Sequence, residues 1–314
     1  MKQQHWLTSS DQSHQLKVNY WLPTEKPKAV IQLVHGMVEH IDRYDSFAKF
    51  LNAQGYAVIG HDHLGHGDSI DNVGEYGYFA EQKGYRYLIT DVKRIEEQWR
   101  TKFPEVPYFL LGHSMGSLVV RDVLIEYPTE RLQGAIMMGT AYESLLKMNV
   151  ALLVSRAFIR FRGKRYRSTF LDNLAFNGFN RHIHSARTSK DWLSRDEDQV
   201  DAYIQDPKNQ FTFTTQAYQD LFYLTKEASS PKKLNQIDPR LPLLVISGEE
   251  DPVGRYGKGV IACAQQLAKN GNPVTLELMA EGRHELLNEQ NAKTVYQLLV
   301  NWLRKYEKTS TDRK

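Results

Sequence analysis

Apolar residues in this chain fall into short runs separated by stretches with helical periodicity. Leu16 to Leu22 alternates apolar and polar positions, which predicts an early antiparallel or edge strand. Ala29 to Val34 is nearly continuous in apolar character and predicts a strand ending at His35-Gly36. Tyr44, Phe47, Ala48 and Leu51 recur at helical spacing, and Gly55 ends that helix before a strand over Tyr56 to Ile59. Leu88, Val92, Ile95 and Trp99 predict a helix within Tyr85 to Trp99. Further strands are expected at Phe109 to Leu111, Ala135 to Met138, Leu243 to Ile246 and Val274 to Met279. Helices are expected over Val260 to Leu267 and Val295 to Trp302. Strands alternating with helices predict an α/β protein whose mostly parallel central sheet is flanked by helices on both faces.

The rhythm breaks between Tyr142 and Asp238, where helical stretches occur without a convincing pair of strands. The expected organisation is a core from residues 1–141 and 239–314, with 142–238 inserted as a helical cap. The segment Met1 to Gln15 is polar and lacks the apolar stretch of a secretory signal. The polar tail Lys308 to Lys314 is expected to fray.

Between the strand at Phe109 and an apolar run at Leu118 lies Gly112-His113-Ser114-Met115-Gly116. A Gly-x-Ser-x-Gly turn between strand and helix holds its serine in a strained backbone conformation and projects the hydroxyl above the sheet. Side chains in place of the two glycines would collide with the neighbouring strand and helix. Such a serine is a candidate for covalent acyl transfer. The motif alone is weakly specific, so its partners must be found. A serine hydroxyl needs a base, and the base needs a carboxylate to fix its tautomer. On this type of fold the chain order is Ser, then acid, then His.

The strand Leu243 to Ile246 runs into Ser247-Gly248-Glu249-Glu250-Asp251-Pro252, where three acids compete. Asp251 is preferred, because Gly248 bends the chain before it and Pro252 rigidifies the turn after it. Glu249 and Glu250 are expected to face water. His284 follows the last strand and is the only histidine after residue 184. Two backbone N–H groups are expected to hold the oxyanion: that of Met115, just after the serine, and that of Met37, in the loop after an early strand.

Composition narrows the alternatives. Lys plus Arg (40) barely exceeds Asp plus Glu (37), so the chain as a whole is no polyanion binder and nucleic acid is not an expected partner. Its single cysteine cannot form an intrachain disulfide, which fits a reducing compartment. No run of apolar residues is long enough to span a bilayer, and a cytoplasmic enzyme is expected. His61, Asp62, His63, His66 and Asp68 superficially suggest a metal cluster, but their spacing departs from that of binuclear zinc hydrolases. A tight loop near the active-site face, shaped by Gly65 and Gly67, is expected instead, with no metal. Glu39, His40 and Arg43 either order the oxyanion loop or bind a polar head group; a solvated helix start is the plainer alternative. Residues 144–171 contain no acid, and cations from Lys147 to Arg167 interleave with leucines and phenylalanines. That segment either lies peripherally on an anionic membrane, gates a lipid substrate, or packs as an ordinary cap helix with its cations in water.

The stretch from Val34-His35-Gly36 through Glu39-His40 to Arg43-Tyr44 resembles the His-Gly-x-x-Glu-His-x-x-Arg-Tyr segment of monoacylglycerol lipases and related lysophospholipases. His61 to Ser69 is similar to their Asp-x-x-Gly-His-Gly-x-Ser loop, and Gly112 to Gly116 to their nucleophile turn. Asp251 and His284 fall where that family places its acid and base. The resemblance covers the body on both sides of the insertion. It implies an α/β-hydrolase fold and a cofactor-free ester hydrolase with a mobile cap over an apolar acyl pocket. Ser114, Asp251 and His284 would be its triad, with Met37 and Met115 as oxyanion donors. The expected substrate is a small lipid ester, monoacylglycerol or lysophospholipid. A serine aminopeptidase of the same fold and a non-catalytic binding protein with a disused triad are the competing readings; Asp196, Glu197 and Asp198 keep the former open.

Overall fold

The computed structural model describes residues 2–129 and 131–307; the expected fraying of Lys308 to Lys314 lies outside them. Eight strands form one sheet: β1 (Lys2–Thr8), β2 (Gln15–Trp21), β3 (Val30–Val34), β4 (Ala57–His61), β5 (Tyr108–His113), β6 (Leu132–Met138), β7 (Leu243–Gly248) and β8 (Val274–Met279). Their spatial order is β1-β2-β4-β3-β5-β6-β7-β8. β2 pairs antiparallel with β1 and β4, and the remaining neighbours are parallel. The alternating run near Leu16 is therefore antiparallel but interior, because β1 forms the edge. The polar composition of Lys2–Thr8 hides that strand: much of it is exposed, and it is held by a continuous register on β2 from Lys2↔Trp21 to Thr8↔Gln15.

Among the described residues there are ten α-helices: α1 (Asp45–Ala53), α2 (Gly84–Lys102), α3 (Met115–Glu126), α4 (Leu145–Arg162), α5 (Thr169–Phe176), α6 (Glu197–Gln205), α7 (Thr215–Ala228), α8 (Pro231–Leu234), α9 (Lys258–Lys269) and α10 (Ala292–Tyr306). Side chains along the parallel strands divide between two cores. Val30, Val34, Ala135, Met137, Leu243 and Val245 pack with α2, α3 and α9. Ile31, Leu33, Ile136, Met138, Leu244 and Ile246 pack with α1 and α10. That alternation follows from the period of two along a strand. Burial on both faces explains why these strands read as continuous apolar runs.

Helices α4 to α8 all lie between β6 and β7, and the one β pairing described within this interval is an isolated bridge from Arg167 to Thr214. Ser144 caps α4 by accepting the Lys147 N–H, and Gly163, at φ 91°, ends it. α4 packs along α7 and buries Met148, Ala151 and Leu152. Its opposite side leaves Leu146, Val150, Leu153 and Phe161 exposed beside Arg156, Arg160 and Arg162. The face turned to water therefore mixes cations with large apolar side chains. No helix among the described residues is long and apolar enough to cross a membrane.

Candidate active site

β5 ends at His113 and α3 begins at Met115, which leaves Ser114 alone at the bend with φ 52° and ψ −120°. A non-glycine residue held there stores strain on the order of 1–3 kcal/mol. The neighbours enforce it: Ser114 N–H donates to the Met138 carbonyl at 2.9 Å, and Ser117 Oγ donates to the Ser114 carbonyl at 2.6 Å. A Cβ on Gly116 would lie 2.0 Å from the Val34 carbonyl oxygen, and one on Gly112 would lie 2.3 Å from that of Gly116. Both flanking glycines are thus required by close backbone approach.

His284 and Asp251 meet at the ends of β8 and β7, with Nδ1 3.0 Å from Oδ1. Asp251 is wholly buried, and it also accepts the Ser247 hydroxyl at 2.8 Å and the Val253 N–H at 2.9 Å. Burial alone would raise its pKa, but His284 and these donors hold it below the usual carboxylate value. Glu249 and Glu250 are exposed, so the structure brings only Asp251 of the three competing acids to the imidazole. Ser114 and His284 line the same cavity, but the Ser114 hydroxyl makes no hydrogen bond among the described residues. Nucleophile–base contacts in ligand-free enzymes are commonly long and tighten when substrate arrives.

The loop bearing His284 is stitched to residues 191–195 of the insertion. The N–H groups of His284 and Glu285 donate to the Trp192 and Leu193 carbonyls at 3.4 and 2.7 Å. Arg283 donates to the carbonyls of Asp191 and Ser194, and Arg195 pairs with Glu289 at 2.9 Å. The Trp192 ring lies 5.1 Å from that of His284.

Met37 and Met115 line the cavity beside Ser114, and neither backbone N–H has a hydrogen-bond partner among the described residues. Behind them is a buried ionic network. Arg43 grips Glu285 through two bonds of 2.7 and 2.6 Å and reaches Glu39 at 3.1 Å. Glu39 accepts the Gly36 N–H at 2.5 Å, the Tyr44 hydroxyl at 3.0 Å and His113 Nδ1 at 2.9 Å. His113 Nε2 faces the His284 carbonyl at 3.3 Å. Both nitrogens of His113 thus face acceptors, an arrangement that favours the doubly protonated ring. Burial opposes that charge, yet Glu39 raises the His113 pKa. Burial likewise works against the Glu39 carboxylate, but His113 and Arg43 hold its pKa well below the usual carboxylate range. Two cations and two anions then balance. Glu39 and Arg43 therefore order the loop and are not a solvated helix start; His40 instead contacts Asp206 at 2.7 Å.

The His61 to Ser69 stretch is a buried turn. Asp62 accepts the N–H groups of Ile41 at 2.7 Å and Asp68 at 2.9 Å. His35 accepts the His63 N–H, and His66 accepts the Val38 N–H, so these packed, mutually tilted rings brace the loop that carries Met37.

The cavity above Ser114 encloses about 890 Å³. Leu118, Met148, Ala151, Val154, Leu221 and Phe222 form an apolar wall. Trp192, Tyr203 and Lys190 also line it. None of these last three stands out in the sequence, because they lie in a segment without strand rhythm and reach the site only through tertiary packing.

The strand order, the bent serine and the acid–base pair at adjacent strand ends define the α/β-hydrolase fold. Residues 25–291 match the family described as Hydrolase_4 (Serine aminopeptidase, S33), and the chain belongs to that family. It is 28% identical over 234 residues to the monoglyceride lipase of Mus musculus, spanning 74% of this chain and 68% of that one. The monoacylglycerol lipase of Mycolicibacterium smegmatis is 27% identical over 294 residues, covering 90% of both chains. Among solved structures, a thermostable carboxyl esterase from Bacillus coagulans in complex with glycerol superposes with a TM-score of 0.91 at 25% identity, covering 98% and 99% of the two chains.

Proposed function

We propose that the protein is a serine carboxylic-ester hydrolase that cleaves monoacylglycerol or lysophospholipid to a free fatty acid. The observation that carries this is the strained Ser114 and the His284–Asp251 pair opening on one large, apolar-walled cavity. The lipase relatives support the same reading. Ser114 Oγ attacks the ester carbonyl as His284 takes its proton, and the Met37 and Met115 amides hold the oxyanion. The carbon–oxygen bond to the alcohol breaks, and His284 returns the proton to the departing oxygen. Water, activated by His284, then splits the acyl-enzyme and frees the acid. Asp251 stays ionised and orients the imidazole.

Residues 142–238 act as the cap over this cavity. The exposed apolar and cationic side of α4, within 144–171, rests on anionic membrane surface where the lipid substrate resides. The proposed site of action is cytoplasmic, with which a single cysteine is compatible.

The test is hydrolysis of matched glycerol and phospho-head-group esters by the unmutated protein and by Ser114→Ala. The variant is expected to lose on the order of 10⁴-fold in kcat while keeping its fold. Near-normal turnover by Ser114→Ala would overturn the assignment. Labelling of Ser114 by a fluorophosphonate excludes a disused triad.

The family description favours a second reading, an aminopeptidase, which requires a carboxylate to hold the substrate amine. The cavity's acids are already engaged: Glu39 and Glu285 by Arg43, Glu143 by Lys147 at 2.9 Å, and Asp172 by the Tyr218 hydroxyl at 2.5 Å. Asp196 caps α6, and Glu197 and Asp198 are exposed away from the cavity. Faster cleavage of a prolyl anilide than of a monoacylglycerol would reverse this choice.

A further inference from the structure

The Lys190 side chain lines the cavity, and its ammonium makes no hydrogen bond or ion pair among the described residues. Its ammonium lies 5.9 Å from the ring centres of both Phe176 and Tyr203. Asp172 acts on it through space but is not within ion-pair distance, and its carboxylate already accepts the Tyr218 hydroxyl. Burial disfavours the charge and lowers the Lys190 pKa. Leaving an ammonium unpaired in such a place is costly unless a ligand completes it.

Its position selects which part of a substrate it meets. Tyr203 donates its hydroxyl to the Val38 carbonyl at 2.8 Å, one residue beyond Met37. Phe176 stacks on Trp192, which faces the His284 ring. Lys190 thus stands on the base and oxyanion-loop side of the cavity, where the alcohol of the ester departs, rather than on the apolar wall. A second group without a partner belongs to the same place. Asn209 is 2% exposed and lines the cavity. Its Nδ2 donates to the Tyr203 carbonyl at 3.3 Å, which leaves its Oδ1 as a buried acceptor with no donor among the described residues. An amide acceptor and an ammonium flanking one tyrosine match a head group that carries both a hydroxyl and an anion.

We infer that Lys190 binds the phosphate of the departing alcohol and Asn209 its free glycerol hydroxyl, so that lysophospholipids are preferred over neutral monoacylglycerols. This rests on the ester-hydrolase reading above. The reaction is unchanged in its bonds: the acyl carbon–oxygen bond breaks, water enters, and a glycerophospho alcohol leaves with its phosphate intact.

The experiment measures kcat/KM for a short-chain, monomeric lysophospholipid and for the monoacylglycerol of the same acyl group. It uses the full chain, Lys190→Met and Lys190→Arg, with fluorophosphonate labelling to count competent active sites. Lys190→Met is expected to reduce the lysophospholipid-to-monoacylglycerol ratio by about tenfold or more, through KM, since a hydrogen bond to a charged group is worth that much. Lys190→Arg, which keeps the charge, is expected to retain most of the ratio. An equal fall on both substrates, or no change in the ratio, overturns the assignment. Inorganic phosphate added to the monoacylglycerol assay tests the other source of the same anion. Inhibition relieved by Lys190→Met, without any head-group preference, would also overturn it. If the unmutated protein cleaves neither ester, the ester-hydrolase reading itself fails; if it cleaves only monoacylglycerol, Lys190 alone is misassigned.

Discussion

His61 offers a sharp test of how the buried imidazoles contribute to stability. It closes β4 with no exposed surface, and neither ring nitrogen has a hydrogen-bond partner among the described residues. Burial pushes its pKa down to about 3, whereas an unfolded histidine titrates near about 6.5. The unfolded chain therefore takes up this proton first as the pH falls. The contribution of His61 is complete above about pH 6.5 and is progressively lost down to its folded pKa. At about pH 5 the unfolded ring is almost fully protonated and the folded ring almost fully neutral, a penalty of about 2 kcal/mol. His61→Phe deletes the titrating group while keeping a ring; any overpacking, about 1–3 kcal/mol, does not depend on pH. Urea unfolding of both proteins at about pH 7.5 and about pH 5 gives the comparison. The variant is expected to gain about 2 kcal/mol on the unmutated protein between the two conditions. Equal losses, within about 0.5 kcal/mol, would refute the reasoning, because His61 would then have to reach solvent protons without unfolding.

Arg43→Leu strands Glu39 and Glu285 without their shared cation, and is expected to cost about 3–5 kcal/mol in unfolding free energy, read by denaturant titration. Gly116→Ala places a methyl group 2.0 Å from the Val34 carbonyl oxygen; fluorophosphonate labelling should fall steeply even where circular dichroism shows a folded chain. Phe161→Asp removes the most exposed aromatic of α4, at 81%, and is expected to weaken sedimentation with anionic vesicles by about tenfold or more, and with neutral vesicles by less, because the new carboxylate is repelled only by the anionic surface.

The sequence reveals what is local. Ser114, Asp251 and His284 each follow an apolar run and sit among turn-forming residues, so strand ends and chemistry coincide in the pattern. Met37 and Met115 follow from those positions. What the pattern conceals is pairing across the chain. Arg43 and Glu285 are 242 residues apart, and no periodicity links them. His113 looks like a filler beside the serine until its two acceptors are seen. β1 is polar because it is an edge exposed along much of its length, and its identity comes from register on β2. Trp192, Tyr203 and Lys190 gain meaning only through the cavity they share.

The attachment of the loop bearing His284 to residues 191–195 limits how the insertion can move. Any swing of the whole insertion would drag on the backbone N–H groups that position His284 and Glu285. The part packed along α7, chiefly α4, carries none of these bonds to the His284 loop, whereas the stretch around Trp192 does. For protein engineering, the insertion is therefore not a detachable module. A chimera that grafts a foreign cap at the β6 and β7 borders would inherit a histidine whose scaffolding came from the discarded half. Grafts confined to 145–178 would leave that scaffolding with its owner.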